Sequence, residues 1–240
     1  MLIIAQLVYN IRRMESVYFI AGIDTGIGKT VATGLMARAL RARGVDAITV
    51  KLVQTGNTGH SEDIDAHRRI CGGVHFYEDE LGLTHPQVFA YPASPELAAR
   101  LEGKTVDLER IRLSIDYCRR NHAVVLVEAA GGLDVPLTRD LLTIDFAAAQ
   151  GWPTILVTCG RLGSVNHTLL SLEALRSRRM KLAGLVFNGL PGSEEPIDRD
   201  APDTLRHFLG RWKIPAPLVA VPRIDPDGPY PDLDFTPLFA

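Results

Sequence analysis

The 240-residue chain holds only three cysteines, Cys71, Cys118 and Cys159. They lie far apart with neither metal-ligand nor redox spacing, which argues against a disulfide framework or a cysteine-built centre. Each reads as a small apolar filler in a reduced compartment, so a cytoplasmic location is expected. No apolar stretch approaches the ~20 residues that a bilayer-spanning helix needs, and no membrane partner is expected. Basic runs are missing as well. Lys and Arg number 26 against 28 Asp and Glu, a formal net charge of −2, so no nucleic-acid partner is expected. The seven histidines, His60, His67, His75, His85, His122, His167 and His207, form no close cluster, and none reads as a metal ligand.

Residues 1–13 are apolar with two arginines at their end, the reverse of a secretory signal, and no small-residue cleavage site follows. They read as an N-terminal extension or a misassigned start, since Met14 stands just before the first convincing strand. Residues 14–240 read as one α/β domain with room for a substantial core.

Apolar runs at Val17 to Gly22, Ala47 to Val50, Ala123 to Val127, Thr154 to Val157, Leu182 to Phe187 and Leu218 to Val221 read as buried parallel strands. Helical segments alternate with them at Val31 to Arg43, Asp107 to Arg120, Leu141 to Ala149 and Val165 to Arg178. That alternation predicts a mostly parallel sheet with helices on both faces. Pro191 to Asp200 and Pro222 to Pro237 are rich in Pro, Gly and Asp, and read as surface loops or a loosely packed tail.

In such sheets ligands collect at the carboxyl ends of the strands. The first strand runs into Gly22-Ile-Asp-Thr-Gly-Ile-Gly-Lys-Thr30 and then a helix. Gly26 and Gly28 let backbone N–H groups turn toward an anion, and the helix adds its positive end. Lys29 suits β/γ-phosphates and the Thr30 hydroxyl suits Mg²⁺, the pattern of a P-loop. The loop departs from the usual spacing, with its first glycine at Gly22 and Ile23 in the usual place. Asp24 stands where partition and division-site ATPases carry a signature lysine; it also fits an ordinary turn beside Thr25.

Two further strand ends carry chemistry. Val50-Lys-Leu-Val-Gln-Thr-Gly56 sets Lys51 and Thr55 at a corner, where a buried lysine calls for an anionic partner. Val125-Leu-Val-Glu-Ala-Ala-Gly-Gly132 ends in an acid, the arrangement by which P-loop enzymes offer a carboxylate to Mg²⁺. The loop Gly59 to Asp65 supplies more acids. Asp63 and Asp65 both suit a metal-ligand register, with Asp63 favoured; Asp63 also fits a helix N-cap.

Taken in order, Gly22 to Thr30, Lys51-Leu-Val-Gln-Thr-Gly56 and Val127-Glu-Ala-Ala-Gly-Gly132 resemble the three sequence blocks of the dethiobiotin synthetase family. Gly163-Ser-Val-Asn-His167, Val186-Phe-Asn188 and Ile214-Pro-Ala-Pro-Leu218 with Val221-Pro-Arg-Ile224 agree with it, so the resemblance runs from about residue 17 to 225. Two positions depart from the family pattern. Leu52 stands where proline is usual, and Ala129 where glycine is usual, a change that closes φ > 0 to that residue.

The resemblance implies a P-loop NTPase-like fold and an ATP-dependent cyclo-ligase of biotin biosynthesis. Its substrates would be 7,8-diaminononanoate and CO₂ or bicarbonate, with ATP and Mg²⁺. It implies nucleotide contacts from Gly26, Ile27, Gly28, Lys29, Thr30 and Val31, and from Ala129, Ala130 and Gly131. Asn188 and Gly189, with Pro222, Arg223 and Ile224, would surround the base. Thr30, Asp63 and Glu128 would hold Mg²⁺, while Lys51, Lys29 and Thr55 would carry the chemistry. Substrate would meet Lys51, Thr55 and Gly131, and its carboxylate would meet Gly163, Ser164, Val165 and Asn166 from the neighbouring subunit of a homodimer. From the residues alone, Ser164 or Asn166 also fits a simple helix cap. Two alternatives remain: a partition-type regulatory ATPase, which Asp24 argues against, and a corrinoid amide ligase relative. Such ligases usually carry a glutamine-hydrolysing domain, for which this chain has no room.

Overall fold

A computed structural model describes residues 16–190, 195–224 and 229–239. The expectation for residues 1–13 lies outside them.

Six strands form one all-parallel sheet in the order β2-β5-β1-β6-β7-β8. They are β1 (Val17–Gly22), β2 (Ala47–Lys51), β5 (Val124–Gly132), β6 (Thr154–Cys159), β7 (Leu182–Asn188) and β8 (Leu218–Val221). The short strands β3 (Gln54–Thr55) and β4 (Val88–Phe89) pair separately beside it. Helices α1 (Lys29–Ala42), α2 (Glu62–Ile70), α3 (Tyr77–Glu80), α4 (Pro95–Leu101), α5 (Leu108–Asn121), α6 (Thr143–Gln150), α7 (Ser164–Ser177) and α8 (Glu195–Arg211) fill the connections. This is the P-loop NTPase-like α/β fold expected.

The strands read as nearly unbroken apolar runs because both faces are covered. Phe19, Ile48, Val50, Val125 and Val127 pack on one side with Ile111, Ile115 and Ile144. Tyr18, Ile20, Leu126, Ile155 and Val157 pack on the other with Leu35, Met36 and Leu40 of α1. Helices α1 and α2 approach closely, because a Cβ at Gly34 would lie 2.7 Å from Ile70 Cδ1.

One loop expectation gives way, and the other is met only up to the last residues. Glu195 to Asp200 open α8, whose buried Ala201, Leu205 and Leu209 recur at helical spacing despite the internal Pro202. The chain end is packed too. Thr236–Phe239 form a 3₁₀ turn, and Phe235, Leu238 and Phe239 are buried, with Phe239 edge-on to Tyr18 at 4.8 Å.

The register sets up the site. In β2 and β5, Lys51 and Glu128 are direct partners across the ladder. Side chains alternate along a strand, so Thr49 and Lys51 share a face of β2, the face that α1 and α2 cover.

Candidate active site

β1 delivers the chain into the turn that opens α1. Gly28 is the residue before the helix, with φ +84°, and a Cβ there would meet Asn188 Nδ2 at 2.7 Å. The early glycine has a reason as well: a Cβ at Gly22 would sit 2.7 Å from Lys29 Cδ, so Gly22 makes room for the lysine stem. Lys29 Nζ donates to the Asp24 carbonyl at 2.7 Å, folding the loop around itself. The Asp24 carboxylate accepts from Thr25 N–H and pairs with Arg161, so it serves the turn.

Below the loop lies a polar cluster. Lys51 Nζ lies 2.6 Å from Asp63 Oδ2 and donates to Glu128 Oε1 at 2.9 Å and to the Ala129 carbonyl at 3.2 Å. The Thr30 hydroxyl shares its hydrogen between Asp63 Oδ1 at 2.8 Å and Glu128 Oε1 at 3.1 Å. Glu128 is fully enclosed. Burial pushes its pKa up, but the Lys51 ammonium and the His67 hydrogen bond outweigh burial and hold it well below the usual carboxylate range. Burial likewise works against charge on Lys51, and Glu128 and Asp63 reverse it, raising the pKa. Buried together, Lys51 and Glu128 are held as a charged pair, with Asp63 beside Lys51 at the more open side.

Asp63 is half-buried in the cluster, while Asp65 is exposed on the far side, 3.7 Å from His60. The helix cap is neither: Ser61 Oγ accepts from Ile64 N–H. Ala129 continues β5 without positive φ, a backbone open to alanine; the left-handed turn falls at Gly131, φ +71°.

A cavity of about 680 Å³ opens above the cluster, lined by Gly26, Gly28, Lys29, Thr30, Lys51, Thr55, Asp63, Glu128, Ala130 and Gly131. Pro92 to Pro95 form another wall. Ile27 is buried and Val31 half-buried beneath the loop. Asn188 borders the loop rather than this cavity. Its amide donates to the Ile27 and Gly28 carbonyls at 2.9 and 3.0 Å, and its Oδ1 is buried without a partner among the described residues. Gly189 N–H donates to the Val221 carbonyl, which sets Pro222, Arg223 and Ile224 alongside, with Arg223 on Asp198 at 2.6 Å.

Gly163, Ser164, Val165 and Asn166 are not brought into the cavity of their own chain. Gly163, φ +89°, precedes α7, and no side chain among the described residues caps the helix. Ser164 is buried with its hydroxyl 3.2 Å from Cys159 Sγ, so neither it nor Asn166 acts as the cap. Sequence reasoning passed over His67 and Gln54. His67 lies four positions after Asp63 on one helix face, a signal that was available. Gln54 accepts from Ser61 Oγ at 2.6 Å and ties β3 to the start of α2.

Residues 16–225 match the family AAA_26, described as an AAA domain. The chain is 43% identical over 199 residues to the ATP-dependent dethiobiotin synthetase BioD 2 of Pasteurella multocida, covering 83% of this chain and 93% of that protein. The chain belongs to the dethiobiotin synthetase family. It is therefore an ATP-dependent ligase. BioD 2 of Haemophilus influenzae is 44% identical over 74% of this chain and 93% of its own length. BioD of Chlorobaculum tepidum is 44% identical over 80% and 81%. Among solved structures, pNOB8 ParA bound to nonspecific DNA superposes with a TM-score of 0.51 at 16% identity, over 90% of this chain and 84% of that one. That likeness shows the fold alone.

One pH effect follows for an ATP-dependent site. Burial, helped by the Lys51 charge, lowers the Lys29 pKa to about 8. A polyphosphate, if seated against Lys29, would stabilise the ammonium and raise that pKa again. Above about pH 8 the bound state then holds more protons than the free one, so ATP affinity is expected to fall as pH rises further and to be flat well below it. Calorimetry at about pH 8.5 in buffers of different ionisation enthalpy reads the proton taken up. Uptake of none contradicts the assignment of Lys29 to the phosphates.

Proposed function

We propose that this ligase closes a ureido ring on 7,8-diaminononanoate with CO₂, at the expense of ATP. The observation that carries the reading is the enclosed Lys51–Glu128–Asp63–Thr30 cluster directly beneath a P-loop. One amine of the substrate takes up CO₂ as a carbamate. Its oxygen attacks the γ-phosphate, giving a carbamic–phosphoric anhydride and ADP; the second amine then attacks the carbonyl carbon, closes the ring and expels phosphate.

Such a transfer needs positioning and neutralisation of charge more than covalent help. Lys29 and the N–H groups of the Gly26–Thr30 loop would hold the β/γ-phosphates. Lys51 would lie between carbamate and γ-phosphate, and Thr55 would orient the carbamate by a hydrogen bond. The donor set also suits Mg²⁺. Two carboxylates and a hydroxyl converge as hard oxygen donors, and Mg²⁺ is usually held by one or two carboxylates together with substrate phosphates. The lysines already balance the acids here, so a polyphosphate brings uncompensated negative charge. Mg²⁺ held by Thr30, Asp63 and Glu128 would supply the missing positive charge at the phosphoryl oxygens. Phosphate release that rises steeply on adding the diamine supports the synthetase reading; release indifferent to the diamine supports a regulatory ATPase instead.

The substrate carboxylate would meet the uncapped start of α7 of a second subunit, since helix N-termini favour anions. The active site would then lie at the interface of a homodimer. Asn166 is exposed, and Asn166→Glu should repel the carboxylate and leave little activity. Mixed in equal parts with inactive Lys51→Ala chains, it should recover about a quarter of wild-type activity, because half the dimers are hybrids with one intact site. No recovery despite proven hybrids means that each site is built within one chain.

A further inference from the structure

We infer that His67 is a positioning residue for the Glu128 carboxylate, and through it for the divalent cation between that acid and the nucleotide phosphates. The inference rests on the metal reading above. His67 is fully enclosed, projecting from α2 one helical turn beyond Asp63. Its Nε2 lies 2.8 Å from Glu128 Oε2 and its Nδ1 lies 3.0 Å from Thr49 Oγ1. The two carboxylate oxygens therefore divide their partners. Oε2 faces His67, and Oε1 faces Lys51 and Thr30 at the floor of the cavity.

The surroundings also set the hydrogen on the imidazole. Arg68 Nη1 donates to Thr49 Oγ1 at 2.7 Å, and Arg68 is itself held on Asp79 by bonds of 2.8 Å from Nε and Nη2. An arginine can only donate, so it takes a lone pair of the threonine oxygen. The hydroxyl hydrogen of the buried Thr49 then finds its acceptor in His67 Nδ1. That leaves Nε2 carrying the N–H that donates to Glu128. The chain Asp79–Arg68–Thr49–His67–Glu128 thus fixes the plane of the carboxylate from behind. Without His67, Oε2 becomes a buried acceptor lacking a partner, a costly state that the side chain relieves by turning toward Lys51. The oxygen offered to the cation turns with it. Partners behind a metal-ligating group typically change metal affinity by about 10–100-fold.

The test uses the full chain and needs no turnover. Mn²⁺ binding to the enzyme–ADP complex is followed by the electron paramagnetic resonance of free Mn²⁺, for wild type, His67→Leu, His67→Gln and Glu128→Gln. Glutamine keeps an N–H donor and leucine does not. His67→Leu is expected to bind Mn²⁺ about 10-fold or more weakly, with His67→Gln recovering most of the loss. ADP affinity in chelator should be the same in all three His67 chains. Wild-type affinity in His67→Leu overturns the inference, as does a glutamine variant no better than leucine. A wild type that takes up no Mn²⁺, or a Glu128→Gln that takes it up normally, sinks the metal reading instead. ¹⁵N resonances of the histidines in the wild-type chain free of ligand keep the inference open to refutation even if the variants fail to fold. A hydrogen on Nε2 of His67, with Nδ1 bare, is expected, and one on Nδ1 alone overturns the inference.

Discussion

Lys51→Ala is expected to lower kcat by about 10²–10³, the usual loss when one preorganised charge is taken from a phosphoryl-transfer site. Stability should fall as well. Lys51 is 5% exposed and is the cation that offsets burial of Glu128 and Asp63. Removing one partner of such a pair leaves an uncompensated charge, at a cost of about 3–5 kcal/mol. Because the folded-state pKa of Glu128 is lowered, its contribution to wild-type stability is fully present above the ordinary carboxylate pKa, starts to fade there, and is lost as pH falls on through the lower folded-state value. In the variant that dependence should shrink, since burial then acts on Glu128 with less opposition. The double variant Lys51→Met/Glu128→Gln removes both charges and should regain stability but no activity. Denaturant melts with steady-state rates read both effects. A folded Lys51→Ala chain with an unchanged kcat would exclude Lys51 from the chemistry.

Glu128→Gln should raise the Mg²⁺ concentration needed for half-maximal rate by at least about 10-fold, because a neutral amide is a poor ligand for a hard cation. Asp63→Asn should shift it in the same direction. Asp65→Asn should behave as wild type, since that side chain is exposed and pairs only loosely with His60. Magnesium titrations of the three variants are enough. An Asp65→Asn defect with a normal Asp63→Asn would reverse the register proposed for the metal.

The sheet was legible because doubly covered strands are apolar throughout, and the P-loop because its glycines, lysine and threonine are local. What lay between distant segments was not. Lys51 and Glu128 could each be read as strand-end residues wanting a partner, yet only the order β2–β5 and its register make them partners of each other. The spacing of His67 from Asp63 hints at a shared helix face, but its contacts to Thr49 and Glu128 come from how that helix packs on the sheet. Helix α8 was hidden by composition: Glu195, Pro196, Pro202 and several aspartates resemble a loop, while three buried residues at helical spacing hold it down. The described part of the Pro- and Asp-rich tail is irregular as expected, while Phe235, with Leu238 and Phe239 just past it, is buried. Leu52 and Ala129, the family departures, are both fully buried, and neither has a positive φ.

The most direct test is product formation by the purified full chain from 7,8-diaminononanoate, bicarbonate, ATP and Mg²⁺, with dethiobiotin and phosphate followed together. Dethiobiotin should appear only when all four are present, in equal amount to the phosphate released. Phosphate released at the same rate without the diamine, and no dethiobiotin with it, would contradict the account.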